Sequence, residues 1–270
     1  MRYSLKLRTK VQSQSDPPRT TPPLAIKRTV IGHHGRRFCS PLTRDLLASA
    51  CDHIPALKGS WVLDVGCGKG EALRLVTSAF GCTGLGIDTN EEFLREGRAM
   101  LKEEGLQKKV EMRHCSAHDF ECPVGVFRLA MCLGSSHALG GFEEAMATLR
   151  DWVGPGGWII QGELTFVRTP VPAFLTAMGM AEDSCPHRLG VAAKVNEQNL
   201  TMWARIAVPS GTFEEYERSY LDRLEGYALS HPDDPDSASL MAYSRQRRYL
   251  YEEWGRTTLG FDLLVMQVPA

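Results

Sequence analysis

No stretch of this 270-residue chain reaches the ~20 consecutive apolar residues that a membrane-crossing helix needs, and the longest apolar runs, such as that near 129–135, stop well short. None of the eight cysteines forms a C-x-x-C pair, and Cys82, Cys115 and Cys132 fall inside apolar, strand-like runs; this reads as free thiols in a reducing compartment. His114, Cys115 and His118 come nearest to a metal cluster, but they lie where a strand gives way to a loop and need not converge, so no metal is expected. Basic residues are missing from where a polyanion binder would carry them. Residues 1–37 hold nine Lys or Arg against Asp16 alone, a surplus of eight, so the formal net charge of −1 leaves −9 on residues 38–270, and no nucleic-acid partner is expected. The basic opening, with SQSDPPRTTPP at 13–23, reads as a disordered tail over 1–37; it lacks the apolar core of a secretory signal. A cytoplasmic location follows, with organelle targeting by that tail as the alternative.

What the chain does have is the stretch VLDVGCGKGEALRL, residues 62–75. Trp61, Val62, Leu63 and Val65 read as a buried strand, Gly66, Gly68 and Gly70 clear side chains from a tight turn beside a ligand, and Glu71–Val76 open a helix. Around it the pattern alternates strictly. A helix over 40–54, capped by Ser40 or Thr43, precedes a strand at 61–65, and then come helix 70–80, strand 83–87, helix 90–105, strands 109–114 and 127–133, helix 141–153 and strand 158–164. Such alternation predicts an α/β, doubly wound, seven-stranded, mostly parallel sheet. Past 165 it breaks down into helices near 171–180 and 190–199 and a strand at 203–208. Two long amphipathic helices, 213–229 and 238–254, are joined by HPDDPD (231–236), and a last strand covers 261–268. The two final strands are expected as an antiparallel edge pair, with the helices inserted between them. The acids of HPDDPD read as caps and solvated charge.

In an open sheet of this kind ligands sit beyond the carboxyl ends of the strands. That rule selects Asp64 with Gly66–Gly70, Asp88, Cys115–Ala117, Leu133–His137 and Gly162–Leu164. Asp64 lies two residues before the first glycine, where a nicotinamide fingerprint has an apolar residue, and the glycines alternate rather than following G-x-G-x-x-G. A carboxylate there suits a ligand carrying positive charge.

LDVGCGKG (63–70) resembles the first motif of the class I S-adenosylmethionine-dependent methyltransferases, and DWVGPGGWIIQGE (151–163) resembles their approach to the fifth strand. The resemblance covers about 40–270 and implies a Rossmann-like methyltransferase fold over 38–270. The segments 165–202 and 211–256 would then be helical lid or substrate insertions. It also implies S-adenosyl-L-methionine as cofactor, held by Asp64, Gly66, Cys67, Gly68 and Gly70, by Asp88 at the ribose, by Ser116 and Ala117 at the adenine, and by Thr89 and Leu133. Two positions depart from the pattern, Ser116 and Arg128 standing where acids are usual. CLGSSHALGG (132–141), the GE at 162–163, HPDDPD and WGRTTLGF (254–261) together resemble a group of largely uncharacterised bacterial methyltransferases acting on small molecules.

An N-P-P-Y-like tetrapeptide, the mark of enzymes acting on exocyclic amines of bases or on protein glutamine, is absent, since LGSS follows the fourth strand. A Pro-Cys nucleophile for cytosine is also missing. The expected reaction is in-line transfer of a methyl group to a small-molecule acceptor, in which the protein chiefly aligns the acceptor and excludes water. His137 is the first candidate for a general base, because an imidazole titrates near neutral pH; Glu163 is the second. Tyr216 and Tyr220 on one side, and Arg37 within HHGRRFCSP (33–41) on the other, are candidate substrate walls. A donor-binding regulator without turnover would share the first motif and is the alternative.

Overall fold

The structure, a computed structural model, describes residues 24–270. Most of the expected tail, residues 1–23, lies outside the described residues. The remainder of it is folded: α1 (Leu24–Gly32) is a nine-residue helix packed on the helical insertion, with Lys27 bound to Asp234 and Asp236 and the Arg28 guanidinium 4.0 Å above the Tyr243 ring. The boundary at 37 is therefore corrected for 24–37. A helix this short gains its stability from packing rather than propensity, and its partners lie two hundred positions away, so the local pattern gives no sign of it.

α2 (Arg44–Cys51) begins where extended Thr43 accepts the Leu46 N–H at 3.2 Å, so Thr43 rather than Ser40 is the cap, and the helix is shorter than 40–54. The alternating part then runs β1 (Trp61–Val65), α3 (Glu71–Phe80), β2 (Thr83–Asp88), α4 (Glu91–Glu103), β3 (Val110–His114), β4 (Leu129–Leu133), α5 (Phe142–Val153) and β5 (Trp158–Phe166). After it come α6 (Pro172–Met178), α7 (Val191–Glu197), β6 (Thr201–Ala207), α8 (Ser210–Ser230), α9 (Ser237–Leu250) and β7 (Leu259–Gln267).

One seven-stranded sheet has the order β3-β2-β1-β4-β5-β7-β6. β1 to β5 are parallel, and β7 runs antiparallel between β5 and β6, which makes the expected edge pair with the helical insertion, α8 and α9, between its strands. Helices cover both faces. Leu47, Leu73, Val76, Leu94 and Leu101 pack on one, and Met146, Leu149, Trp152, Val191 and Val195 on the other. A parallel strand so enclosed buries both of its sides, as β1 does at Val62, Leu63, Asp64 and Val65. Strand order reverses between β1 and β4, and the carboxyl ends there are the candidate site. Among the described residues no helix is long and apolar enough to cross a membrane.

The tyrosine stripe of α8 and α9 forms a small core of its own. Leu221, Leu224 and Leu240 pack with Tyr220, Tyr227, Tyr243 and Ile31, the last contributed by α1.

Candidate functional site

After Val65 the chain turns through Gly66, Gly68 and Gly70, all at positive φ (67°, 53° and 75°). A β-carbon on Gly66 would come within 2.4 Å of the Ser135 side chain, so the close approach of this loop to the β4 exit requires glycine. The N–H groups of Gly66 and Cys67 both donate to the Ile87 carbonyl, at 2.9 and 3.0 Å, and the Ser135 hydroxyl donates to Val65 O at 2.6 Å. These bonds tie the ends of β1, β2 and β4 into one rim. Asp88 accepts the Gly68 N–H on Oδ2 at 2.7 Å and the Asn90 N–H on Oδ1 at 2.8 Å, while Asn90 caps α4.

Beneath the loop, Asp64 is 2% exposed and its Oδ1 has no hydrogen-bond partner. Burial, reinforced by the nearby charge of Asp88, raises its carboxyl well above the usual range. Lys69 is also buried; its ammonium pairs with Glu96 at 2.7 Å and donates to the His33 carbonyl at 3.0 Å.

A cavity of about 460 Å³ opens along this rim. Asp64, Gly66, Cys67, Gly68, Asp88, Thr89, Ala117 and Leu133 form its floor, and His137 and Arg37 also line it. The opposite wall comes from α1, through Ala25, Ile26, Thr29 and His33, followed by Phe38, Cys39 and Ser40. The α1 wall is not among the residues that the sequence pattern selects.

Other expected site residues lie elsewhere. Gly70 caps α3 behind the loop, against Met112. The Ser116 hydroxyl accepts the His118 N–H at 3.2 Å and caps the short turn Ala117–Asp119, leaving Cys115 and Ala117 on the cavity wall. Glu163 is not on the wall: it is buried beside Ser136, accepts from Gln161 Nε2 at 3.4 Å, and burial raises its carboxyl. Tyr216 and Tyr220 do not line the cavity either. They lie beneath α1, where the Tyr216 hydroxyl is 2.9 Å from His33 Nε2 and 3.0 Å from the Cys39 carbonyl, and Gly32 sits directly on the Tyr220 ring. Arg37 reaches the cavity but leans on Glu71 and Glu104, at 3.4 and 3.5 Å. His114 is turned to the Thr89 carbonyl, and among the described residues no group of three or more His, Cys, Asp or Glu is placed to share a metal ion.

The His33 Nδ1 is 2.8 Å from the Thr29 carbonyl, which can only accept, so Nδ1 carries the proton, and the one Tyr216 hydroxyl proton is shared between His33 Nε2 and the Cys39 carbonyl. Burial chiefly, with Arg36, Lys69 and Arg223 adding repulsion, lowers the His33 pKa from 6.5 to about 4. Burial pushes the Cys39 thiol up to about 12, so a thiolate is not available on the wall there.

Residues 62–157 match a family described as a methyltransferase domain, and the sheet carrying them is that of the class I enzymes. The chain thus has the class I methyltransferase fold, with a methyltransferase domain over residues 62–157. The uncharacterized protein YjhP of Escherichia coli K12 is 23% identical over 242 residues, spanning 87% of this chain and 96% of that protein. The crystal structure of YjhP shares the fold with a TM-score of 0.82 at 21% identity, over 89% of this chain and 98% of that one. A methyltransferase from Geobacter sulfurreducens, solved with S-adenosyl-L-homocysteine, has a TM-score of 0.82 at 20% identity, over 89% and 97%. The ubiquinone biosynthesis O-methyltransferase of Thiobacillus denitrificans is 35% identical over 104 residues, 38% of this chain and 44% of that protein.

Proposed function

We propose that the chain transfers a methyl group from S-adenosylmethionine to a small-molecule acceptor by in-line displacement. The observation that carries this reading is the cavity itself, about 460 Å³ between the β1–β2–β4 rim and α1. That volume is in the range of small-molecule sites. The similarity to an O-methyltransferase of ubiquinone biosynthesis supports the same acceptor class.

The residues present fit the donor. The unpartnered buried Oδ1 of Asp64 meets its positive charge, and the glycine loop leaves room that a β-carbon at Gly66 would fill. Asp88 gives one oxygen to each of two backbone amides and retains lone pairs on both for the ribose hydroxyls. Thr89, Ala117 and Leu133 complete the floor. When bound, S-adenosylmethionine supplies a methyl group on sulfonium, already activated for displacement.

The protein's own work is then alignment and exclusion of water by the α1 wall. His137, on the turn after β4 and in the cavity wall, takes the proton from an acceptor that must lose one. Glu163 acts on this turn through Ser136. The test is a panel of small acceptors, including phenols, amines and carboxylic acids, scored for S-adenosylhomocysteine production. Turnover with one class in preference to the others supports the reading, and turnover on protein or nucleic acid alone refutes it.

A further inference from the structure

The turn 231–236 between α8 and α9 has no place in the reaction just described, yet it is the most heavily bonded acidic segment near the site. Asp234 accepts from Lys27 Nζ on both oxygens, at 2.5 and 2.7 Å, from the Tyr227 hydroxyl at 2.6 Å and from the Asp236 N–H at 2.9 Å. Asp236 takes the same ammonium at 2.7 Å. Two carboxylates, one of them fixed by a tyrosine and a backbone amide, thus converge on a single lysine from α1.

Besides Lys27, α1 is held by Ile31 and Gly32 against the Tyr220 side of the insertion and by Arg28 over the Tyr243 ring. The only buried residue of α1 is Gly32, whereas Ala25, Ile26, Thr29 and the following His33 face the donor cavity. An element attached by polar contacts and little apolar burial is of the kind that opens locally. Gly35, at φ +71° with open space around it, gives the chain a pivot just past the helix. At the inner end Lys69, within the glycine loop, holds the His33 carbonyl, so the loop and α1 share a bond.

We propose that α1 is a lid that lifts for the donor to enter and its product to leave, and that Lys27 with Asp234 and Asp236 is the catch that holds it shut. The inference rests on the reading that the donor occupies this cavity. A catch differs from a binding contact in its kinetic signature. Loosening it speeds entry as well as exit, whereas losing a contact to the ligand speeds exit alone.

The experiment follows S-adenosylhomocysteine association and dissociation by stopped-flow tryptophan fluorescence on the full chain. Lys27→Met and Asp234→Asn are each expected to raise both rates about fivefold, in line with the loss of a partly exposed ion pair, with affinity changed little and Lys27→Arg near the original rates. Hydrogen exchange of the unaltered chain gives a second measure that needs no variant, with residues 24–34 gaining protection when S-adenosylhomocysteine saturates the site. If binding is intact and abolished by Asp88→Ala, but neither rates nor exchange respond, the lid is refuted and the donor reading stands. A rise in dissociation alone also refutes it, making Lys27 a binding contact. No binding to the unaltered chain overturns the donor reading and the lid together.

Discussion

The Gly68 amide donates to Asp88 Oδ2 at 2.7 Å and so joins the loop after β1 to the end of β2. The carboxylate assigned to the donor ribose is also the clasp of the glycine loop. Asp88→Ala is therefore expected to do more than remove a ligand contact. S-adenosylhomocysteine affinity, measured by calorimetric titration, should fall roughly 100-fold, as the loss of two hydrogen bonds to a charged group implies. An affinity within threefold of the original would take Asp88 out of the site.

Asp64 ties donor binding to pH. Burial raises its folded-state pKa above the unfolded value, so the stability it contributes is full below the ordinary carboxylate range and is lost as pH rises through the raised pKa. Asp64→Asn should accordingly flatten the fall in melting temperature of the ligand-free chain on the way to neutral pH. Positive charge arriving at the carboxyl favours its ionised form, so S-adenosylmethionine binding should release a proton. Titrations in buffers of different ionisation heat measure that release, and equal proton release from Asp64→Asn would show that another group supplies it.

His33 gives the opposite sign. Its pKa is lowered from 6.5 to about 4, so the unfolded chain binds more protons between those values, and stability present above pH 6.5 drains away as pH falls through that window. The loss amounts to about 3 kcal/mol at the acid end. His33→Gln should remove this part of the acid sensitivity in urea unfolding at a series of pH values. An unchanged slope between pH 6.5 and 4 would mean that His33 is not buried in the neutral form.

His137 faces the cavity from the turn after β4. If it takes the acceptor's proton, His137→Ala should lower turnover roughly 100-fold while leaving donor affinity within about twofold. Single-turnover rates with the acceptor found in the panel, alongside S-adenosylhomocysteine titration, separate the two effects. Full turnover in the variant would leave the site with alignment as its only contribution.

The cavity floor is legible in the sequence because its signals are local. β1 is an apolar run ending in three alternating glycines, and Asp88 closes the next strand, so strand period and glycine spacing place Asp64, the loop and Asp88 together. The walls are not legible in the same way. The spacing of Tyr216 and Tyr220 shows a helix face correctly but not what lies across from it, and the neighbour is α1 rather than an acceptor. Glu163 lies within β5, which runs on to Phe166 rather than ending near 164, and Ser136, from a turn whose path no periodicity reports, stands next to it. Lys27 and Asp234 are 207 positions apart, and the surplus of positive charge before residue 38 looks like a solvated tail until the acids that neutralise part of it are seen in space.

The same separation orders assembly. Ribosomes make α1 before any strand of the sheet, but the tyrosines and acids that seat it arrive only with α8 and the turn after it, and β7, which joins β5 to β6, follows later still. Contacts so distant along the chain close late because the intervening segment must be ordered first. The rim and glycine loop can form while the chain is still being synthesised, but the cavity acquires its roof only near the end. Among the described elements α1 is made first, yet it can dock only after α8, the turn 231–236 and α9 have formed, so a nascent chain carries an open cavity until then.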